Sequence, residues 1–401
     1  MKTLSFPFPT EVIAEGIVEV VVPKLEAFIK QPSDYAPSKA PVFYNPVMEL
    51  NRDLAVLALQ AFRQTVGRKL RVCEPLAGCG VRGIRLTKEV KGVEKVVMND
   101  INDKAYRLAK FNVERSGLTD KVVMENEDAN FLLSRSGAPR RRFDYIDVDP
   151  FGSPMPYVDS ALRALRRGGL LALTATDLAP LCGVHPKACI RKYSGKPLRT
   201  EYCHELAVRL LAGALARAAA KYDVGVEMLF SHSSEHYIRL YAAIDHGAKK
   251  ADATLKNMGY IHHCFACFHR EVSAGMFSCE KIICPKCGNK MNFAGPLLIG
   301  KIVDEGFVES MDEKAKSKGF RQKKKIRKLL TSIKREADAP ITYYVVDKIC
   351  DKLGLPVPPM KKVVEELERA GFEVSLTHFA AQGVKTGASA RAVKETIAKI
   401  Y

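Results

Sequence analysis

The sequence predicts an α/β protein: a doubly wound, mostly parallel sheet closed by an antiparallel hairpin, followed by an α+β carboxyl-terminal part. Three observations carry this. From residue 70 onward, short apolar runs alternate with helical patterns, the order that a parallel sheet with crossover helices requires. The runs at 224–231 and 237–244 are joined by a polar turn too short for a crossover, so they must pair antiparallel. Beyond them, two Cys-x-x-Cys pairs sixteen residues apart mark a small metal-organised module outside the sheet.

Taken in order, the first 40 residues hold a valine-rich strand over 17–22, stopped by Pro23, and a polar Pro/Ser stretch that reads as an arm on the main domain. Phe43-Tyr44-Asn45-Pro46 leads into a helix whose Val47, Leu50, Leu54, Leu57, Ala58 and Ala61 share one face. Arg52 falls off that face, where periodicity puts a solvated side chain. Strands are expected at 70–73, 95–98, 121–124, 143–148 and 170–174. Helices are expected at 81–90, 103–116, 130–134, 157–167 and 201–221. At 401 residues two or three domains are expected, and the end of the sheet divides the chain into a domain over 1–245 and a second over 246–401.

The net charge of +18, with an isoelectric point near 9.4, calls for a polyanionic partner, and nucleic acid is the leading one. No apolar run is long enough to span a membrane, and Glu15 and Glu19 interrupt the N-terminal one. Eleven cysteines, four of them in paired knuckles, point to a reducing compartment, hence the cytoplasm, rather than to a disulfide framework. Nothing calls for an obligate protein partner.

Between the first strand and its helix lies Glu74-Pro75-Leu76-Ala77-Gly78-Cys79-Gly80-Val81-Arg82-Gly83. Its glycines permit a tight turn and close ligand approach at a helix amino terminus, and Asp100 follows at the spacing of a ribose-binding acid. NAD and S-adenosylmethionine would use these features alike. Glu74 favours the second, because it would repel a pyrophosphate but suits a sulfonium and an ammonium. Asp128-Ala129 after the third strand offers an acceptor for an adenine amine. After the fourth comes Asp149-Pro150-Phe151-Gly152, where a strand cannot continue. Ligands bind at the carboxyl ends of such strands, and this tetrad presents an acceptor, a rigid carbonyl and a flat apolar face to a planar base. Taken alone, it reads equally as an Asp-Pro turn with a packed ring.

The parallel strands with a closing hairpin are similar to the methyltransferase variant of this architecture. Residues 43–53, 74–82 and 147–154 together resemble the tRNA (guanine-26, N2)-dimethyltransferase family, with similarity from about Glu15 to Thr386. That resemblance implies that Arg52, Arg82, Asp100, Asp128 and Ala129 bind S-adenosylmethionine, alongside Glu74 and Gly78 of the loop. At its carboxyl end Gly387-Ala388-Ser389 departs from the family's acidic pattern. The competing reading is a NAD-dependent oxidoreductase with an appended nucleic-acid module.

A guanine amine is a poor nucleophile, so positioning outweighs general-base strength. Asp149 and the Pro150 carbonyl are expected to accept its hydrogens. Phe151 would stack on the base, with Phe43 as a second ring and Asn45 beside it in the substrate-binding set. Asp147 competes for the acceptor role. The target base must be exposed from folded tRNA.

Cys264, Cys267, Cys284 and Cys287 are the expected zinc ligands, closing a structural site within a ribbon over about 260–295, with His269 and Cys279 as possible substitutes. Residues 314–335 carry eleven Lys and Arg and are read as one amphipathic basic helix. Helices at 343–353 and 360–370 and a strand at 372–377 resemble a winged helix-turn-helix unit over about 338–385. It would grip tRNA by shape and phosphate. Arg140, Arg141 and Arg142 read equally as RNA contacts near the site or as a solvated loop.

Overall fold

A computed structural model describes residues 6–28, 37–277 and 283–401. The chain divides into two compact units, Met1–Pro150 with Tyr157–Leu173 and Ser310–Arg327, and Phe151–Pro156 with Thr174–Glu309 and Lys328–Tyr401.

The first unit opens with an antiparallel hairpin, β1 (Thr10–Glu15) and β2 (Val18–Pro23). It is the arm expected from the sequence. The side-chain amide of Asn112 bonds both Val21 N and Val21 O at 2.8 Å and also Cys79 O at 2.9 Å, tying arm and glycine loop to one helix. A one-turn 3-10 segment, Pro46–Met48, then enters α1 (Glu49–Val66). Every residue of α1 from Glu49 to Leu59 is buried, so the single apolar stripe predicted for it is too narrow. Arg52, expected in solvent, is 4% exposed.

The α/β succession follows as β3 (Leu70–Glu74), α2 (Val81–Glu89), β4 (Val93–Asn99), α3 (Asp103–Arg115), β5 (Val122–Glu125), α4 (Ala129–Ser136), β6 (Phe143–Val148), α5 (Met155–Ala164) and β7 (Leu165–Ala175). The strands lie parallel in the order β5-β4-β3-β6-β7. All six residues of β6 are buried, as for a strand covered on both faces, which is why its sequence is a run and not an alternation. The helix expected through residue 167 stops at Ala164, and Leu165 is already paired with Phe143 in the ladder.

The second unit begins its helices with α6 (Leu178–Leu181), α7 (Pro186–Tyr193) and the long α8 (Cys203–Ala220). The predicted hairpin is present as β8 (Val224–Ser234) and β9 (Tyr237–His246), paired antiparallel, so the mostly parallel sheet with a closing hairpin stands. After α9 (Ala248–Lys256), β10 (Met258–His263), β11 (Arg270–Ala274) and β12 (Asn292–Leu298) form an antiparallel sheet in the order β11-β10-β12.

The single basic helix expected over 314–335 is two helices, α10 (Glu305–Lys316) and α11 (Lys323–Arg335). The Ser317–Gln322 break contains Gly319 and turns its side chains onto the first unit: Phe320 lies under the Arg85 guanidinium at 5.4 Å and Lys318 Nζ donates to Glu89 O at 3.0 Å. The chain ends with β13 (Tyr344–Val345), α12 (Val346–Leu353), α13 (Met360–Arg369), β14 (Val374–Leu376), β15 (Gly383–Thr386) and α14 (Ala390–Ala398). The strand order β13-β15-β14 beside two successive helices matches the expected winged arrangement. Val346, Ile349, Val363, Leu367, Val384, Val393 and Ile397 close its core. The buried Glu205 carboxylate in the second unit takes Lys385 Nζ at 2.7 Å, Arg209 Nε at 2.9 Å and Thr342 N at 3.2 Å.

Candidate active site and metal centre

The first unit brings the glycine loop and the ends of its strands together through short polar links. Gly78 adopts φ +55°, and a Cβ there would stand 3.0 Å from Phe43 O, so glycine lets the Phe43 segment pass over the loop. A Cβ on Gly83 would fall 2.4 Å from Met98 Sδ and 2.8 Å from Glu74 Oε2, which packs α2 against β4 without an intervening side chain. Asp100 accepts from Gly78 N at 2.8 Å and from Asn102 N at 2.9 Å, fixing the loop against the end of β4. Asn99 bridges Pro75 O and Glu127 O, both at 3.0 Å, so the segments after β3 and β5 are also joined.

Arg82 is the centre of the charged cluster. It donates to Asn51 Oδ1 at 2.8 Å, forms a close ion pair with Asp149, and lies 3.4 Å from both Glu74 Oε1 and Asp147 Oδ2. Three carboxylates thus face one guanidinium. Burial foremost, with Asp147 and Asp149 adding to it, pushes Glu74 up to about 8 against the pull of Arg82 and the Gly83 N–H. A cluster this rich in carboxylates favours a cationic ligand and opposes a pyrophosphate.

The two candidate acceptor carboxylates differ in access. The Asp147 side chain is fully buried and takes Tyr145 Oη at 2.6 Å, whereas that of Asp149 is 17% exposed. Pro150 is buried. Phe151, the first residue of the second unit's share of this loop, is 68% exposed.

Other expected residues also have structural duties. Asn45 caps the turn at Val47 N at 3.0 Å, and its carbonyl takes Arg52 Nη2 at 3.1 Å. Asp128, exposed, caps α4 through Phe131 N at 3.0 Å, with Ala129 buried behind it. Phe43 is half-buried. Arg52 meets Glu15 through two bonds of 2.6 Å. Two residues escaped the sequence reading. Asn51 orients Arg82 and keeps a buried Nδ2 with no partner among the described residues, a donor a ligand can use. Its signal was an amide amid an apolar helix. Glu15 had no local signal, since its partners lie 37 and 70 residues away.

In the second unit, the four knuckle sulfurs lie within 4.8 Å of one another, with Cys264 to Cys287 at 3.5 Å and Cys267 to Cys284 at 3.6 Å. Tetrahedral thiolates about 2.3 Å from a zinc ion stand roughly 3.8 Å apart, so the set fits. The knuckles repeat one another: Phe268 N bonds Cys264 O at 2.9 Å and Gly288 N bonds Cys284 O at 3.0 Å, each from a left-handed residue. His269 instead bonds Glu271 at 2.9 Å. Cys279 lies outside the described residues.

The family described as N2,N2-dimethylguanosine tRNA methyltransferase matches residues 16–398. A Methanobrevibacter smithii protein named tRNA (guanine(26)-N(2))-dimethyltransferase is 42% identical, over 97% of this chain and 97% of its own. An Aquifex aeolicus protein, named tRNA (guanine(26)-N(2)/guanine(27)-N(2))-dimethyltransferase, is 37% identical over 94% of this chain and 93% of its own. The solved complex of Trm1 from Pyrococcus horikoshii with S-adenosyl-L-methionine superposes with a TM-score of 0.84 at 36% identity, covering 96% of this chain and 99% of that one. Nothing among them supports a NAD-dependent oxidoreductase.

Proposed function

The chain belongs to the N2,N2-dimethylguanosine tRNA methyltransferase family, and on that premise we propose how its residues divide the work. The enzyme transfers methyl groups from S-adenosylmethionine to the exocyclic amine of guanine 26 in tRNA, giving N2,N2-dimethylguanosine. Asp149 is the acceptor that orients the amine, and the observation that carries this is its access: it is the partly exposed carboxylate at the end of β6, beside the glycine loop, while Asp147 is sealed beneath Tyr145. The Pro150 carbonyl takes the second hydrogen of the unmodified amine, and Phe151 and Phe43 present rings to the base. Arg82 holds the Asp149 carboxylate in an ion pair and so fixes its aim. After the first transfer the amine has one hydrogen left, so one acceptor suffices for the second.

The bound cofactor supplies an electrophilic methyl group on a sulfonium. The donor set fits it: Glu74 offers anionic character, Asp100 and Asp128 acceptors, and Asn51 Nδ2 and Arg52 donors, with Gly78 and Ala129 leaving room for close approach. Zinc is assigned to Cys264, Cys267, Cys284 and Cys287 as a structural ion, since four thiolates leave no position open for water. Residues 246–401 are assigned to tRNA binding, with the catalytic work in 1–245. Among the described residues no helix is long and apolar enough to cross a membrane. Cysteine-rich zinc ligation suits a reducing cytoplasm.

Nucleoside analysis of tRNA incubated with the protein and S-adenosylmethionine tests the assignment. Dimethylguanosine should appear with wild type and vanish with Asp149→Asn while cofactor affinity stays nearly intact. Near-normal turnover in the variant removes Asp149 from the mechanism.

A further inference from the structure

At the tip of the N-terminal hairpin, Glu15 is 1% exposed and bonds three other polar side chains directly. Its Oε1 takes Arg52 Nε at 2.6 Å and Arg85 Nη1 at 2.8 Å, and its Oε2 takes Arg52 Nη2 at 2.6 Å and Tyr44 Oη at 3.4 Å. Asp53 and Glu89 complete the cluster through Arg85.

The two arginines differ in what they have left to offer. Arg85 spends all three nitrogens inside the cluster, on Glu15, Asp53 and Glu89. Arg52 spends Nε and Nη2 on Glu15, in a forked pair that fixes the guanidinium plane, and its Nη1 makes no hydrogen bond among the described residues. The same fork touches the substrate segment, because Tyr44 donates to Glu15 and Arg52 Nη2 also holds Asn45 O. Burial alone would push Glu15 up, yet Arg52 and then Arg85 overcome it and hold the acid at about 2, so the fork keeps its charge at any working pH.

We propose that Glu15 is a positioning residue for cofactor binding: from the hairpin it clamps Arg52 so that one guanidinium nitrogen is presented to S-adenosylmethionine. The inference rests on the reading that Arg52 contacts the cofactor. Hairpin and site form one device, with the arm acting as the back wall of the cofactor pocket and not as a tether.

The test measures S-adenosylmethionine affinity by calorimetry on the full-length protein, with methyl-transfer KM and kcat alongside. Glu15→Gln should raise Kd and cofactor KM about tenfold while kcat at saturating cofactor stays within about twofold, the scale on which losing a supporting hydrogen-bonded group is felt. Asp53→Asn removes another carboxylate of the cluster but no contact to Arg52, and should leave Kd within about twofold. If Glu15→Gln fails to fold, Glu15→Asp keeps the charge, shortens the reach and should show a smaller rise of about threefold. Arg52→Lys should weaken binding, and adding Glu15→Gln to it should weaken it little further, because both act through one fork. Equal weakening by Glu15→Gln and Asp53→Asn would overturn the inference as mere loss of packing. Weak binding in Arg52→Lys with wild-type binding in the Glu15 variants would overturn it alone, whereas wild-type binding in Arg52→Lys would overturn the Arg52 assignment as well.

Discussion

The affinity of this enzyme for its cofactor should depend on pH through Glu74. Its carboxyl, buried beside Asp147 and Asp149, titrates at about 8 where 4.5 is usual, so most copies are neutral at pH 7 in the ligand-free protein. A sulfonium and an ammonium favour the ionised form, and apparent affinity scales with its population. With a value of about 8, roughly 3% of Glu74 is charged at pH 6.5 and roughly 75% at pH 8.5, which makes binding about 25-fold tighter at the higher pH. The cofactor's own amino group titrates nearby, so the measured quantity is the ratio of wild-type to Glu74→Gln affinity by calorimetry across that range, in which the ligand's titration cancels. The folding effect has the opposite sign. The folded protein holds this proton more tightly than the unfolded chain, so the associated stability is whole below about 4.5 and is lost as pH rises through about 8. A ratio that stays flat from pH 6.5 to 8.5 would refute the electrostatic account of the pocket.

The remaining expectations concern the second unit and the basic segment. Elemental analysis should find about one zinc per chain, falling on Cys264→Ser with loss of the β10–β12 module before loss of cofactor binding. Glu205→Gln breaks a fully buried hub with Lys385 and Arg209. It should cost about 3–5 kcal/mol and lower the thermal transition of that unit by on the order of 10 °C. Burial works against the Glu205 charge, but Lys385 and Arg209 hold the acid at about 2, so the hub's contribution is present above the ordinary carboxylate range and is lost as pH falls through about 2. Removing the exposed Lys324 and Lys328 as Gln should weaken tRNA binding and reduce its log–log salt slope by about two, with cofactor affinity unchanged.

Features set by local chemistry were legible in the sequence. The end of β6 follows from Pro150 and Gly152, the glycine loop from its spacing, and the cysteine knuckles from Cys-x-x-Cys. Features set by what another segment brings were not. Arg52 reads as solvated because periodicity assumes one buried face, but α1 is covered all round and Glu15 supplies the counter-charge from the hairpin. The basic run reads as one helix because Ile326, Leu330 and Ile333 keep helical spacing in α11. Nothing local announces that Phe320 and Lys318 leave the helix upstream to cover Arg85 and Glu89. Asp128 and Asn45 cap turns of their own chain, since a short acceptor beside a free N–H serves its own backbone first.

That Ser310–Arg327 belongs to the first unit bears on how the protein can be dissected. A fragment ending at residue 245 would strip Phe320 from the face of Arg85, Lys318 from Glu89 and Arg321 from Ala14 O, baring the very corner where the hairpin enters. Residues 1–245 and 246–401 are therefore not interchangeable cassettes. Any shuffling, truncation or fusion of this chain has to carry the late stretch along with the early one.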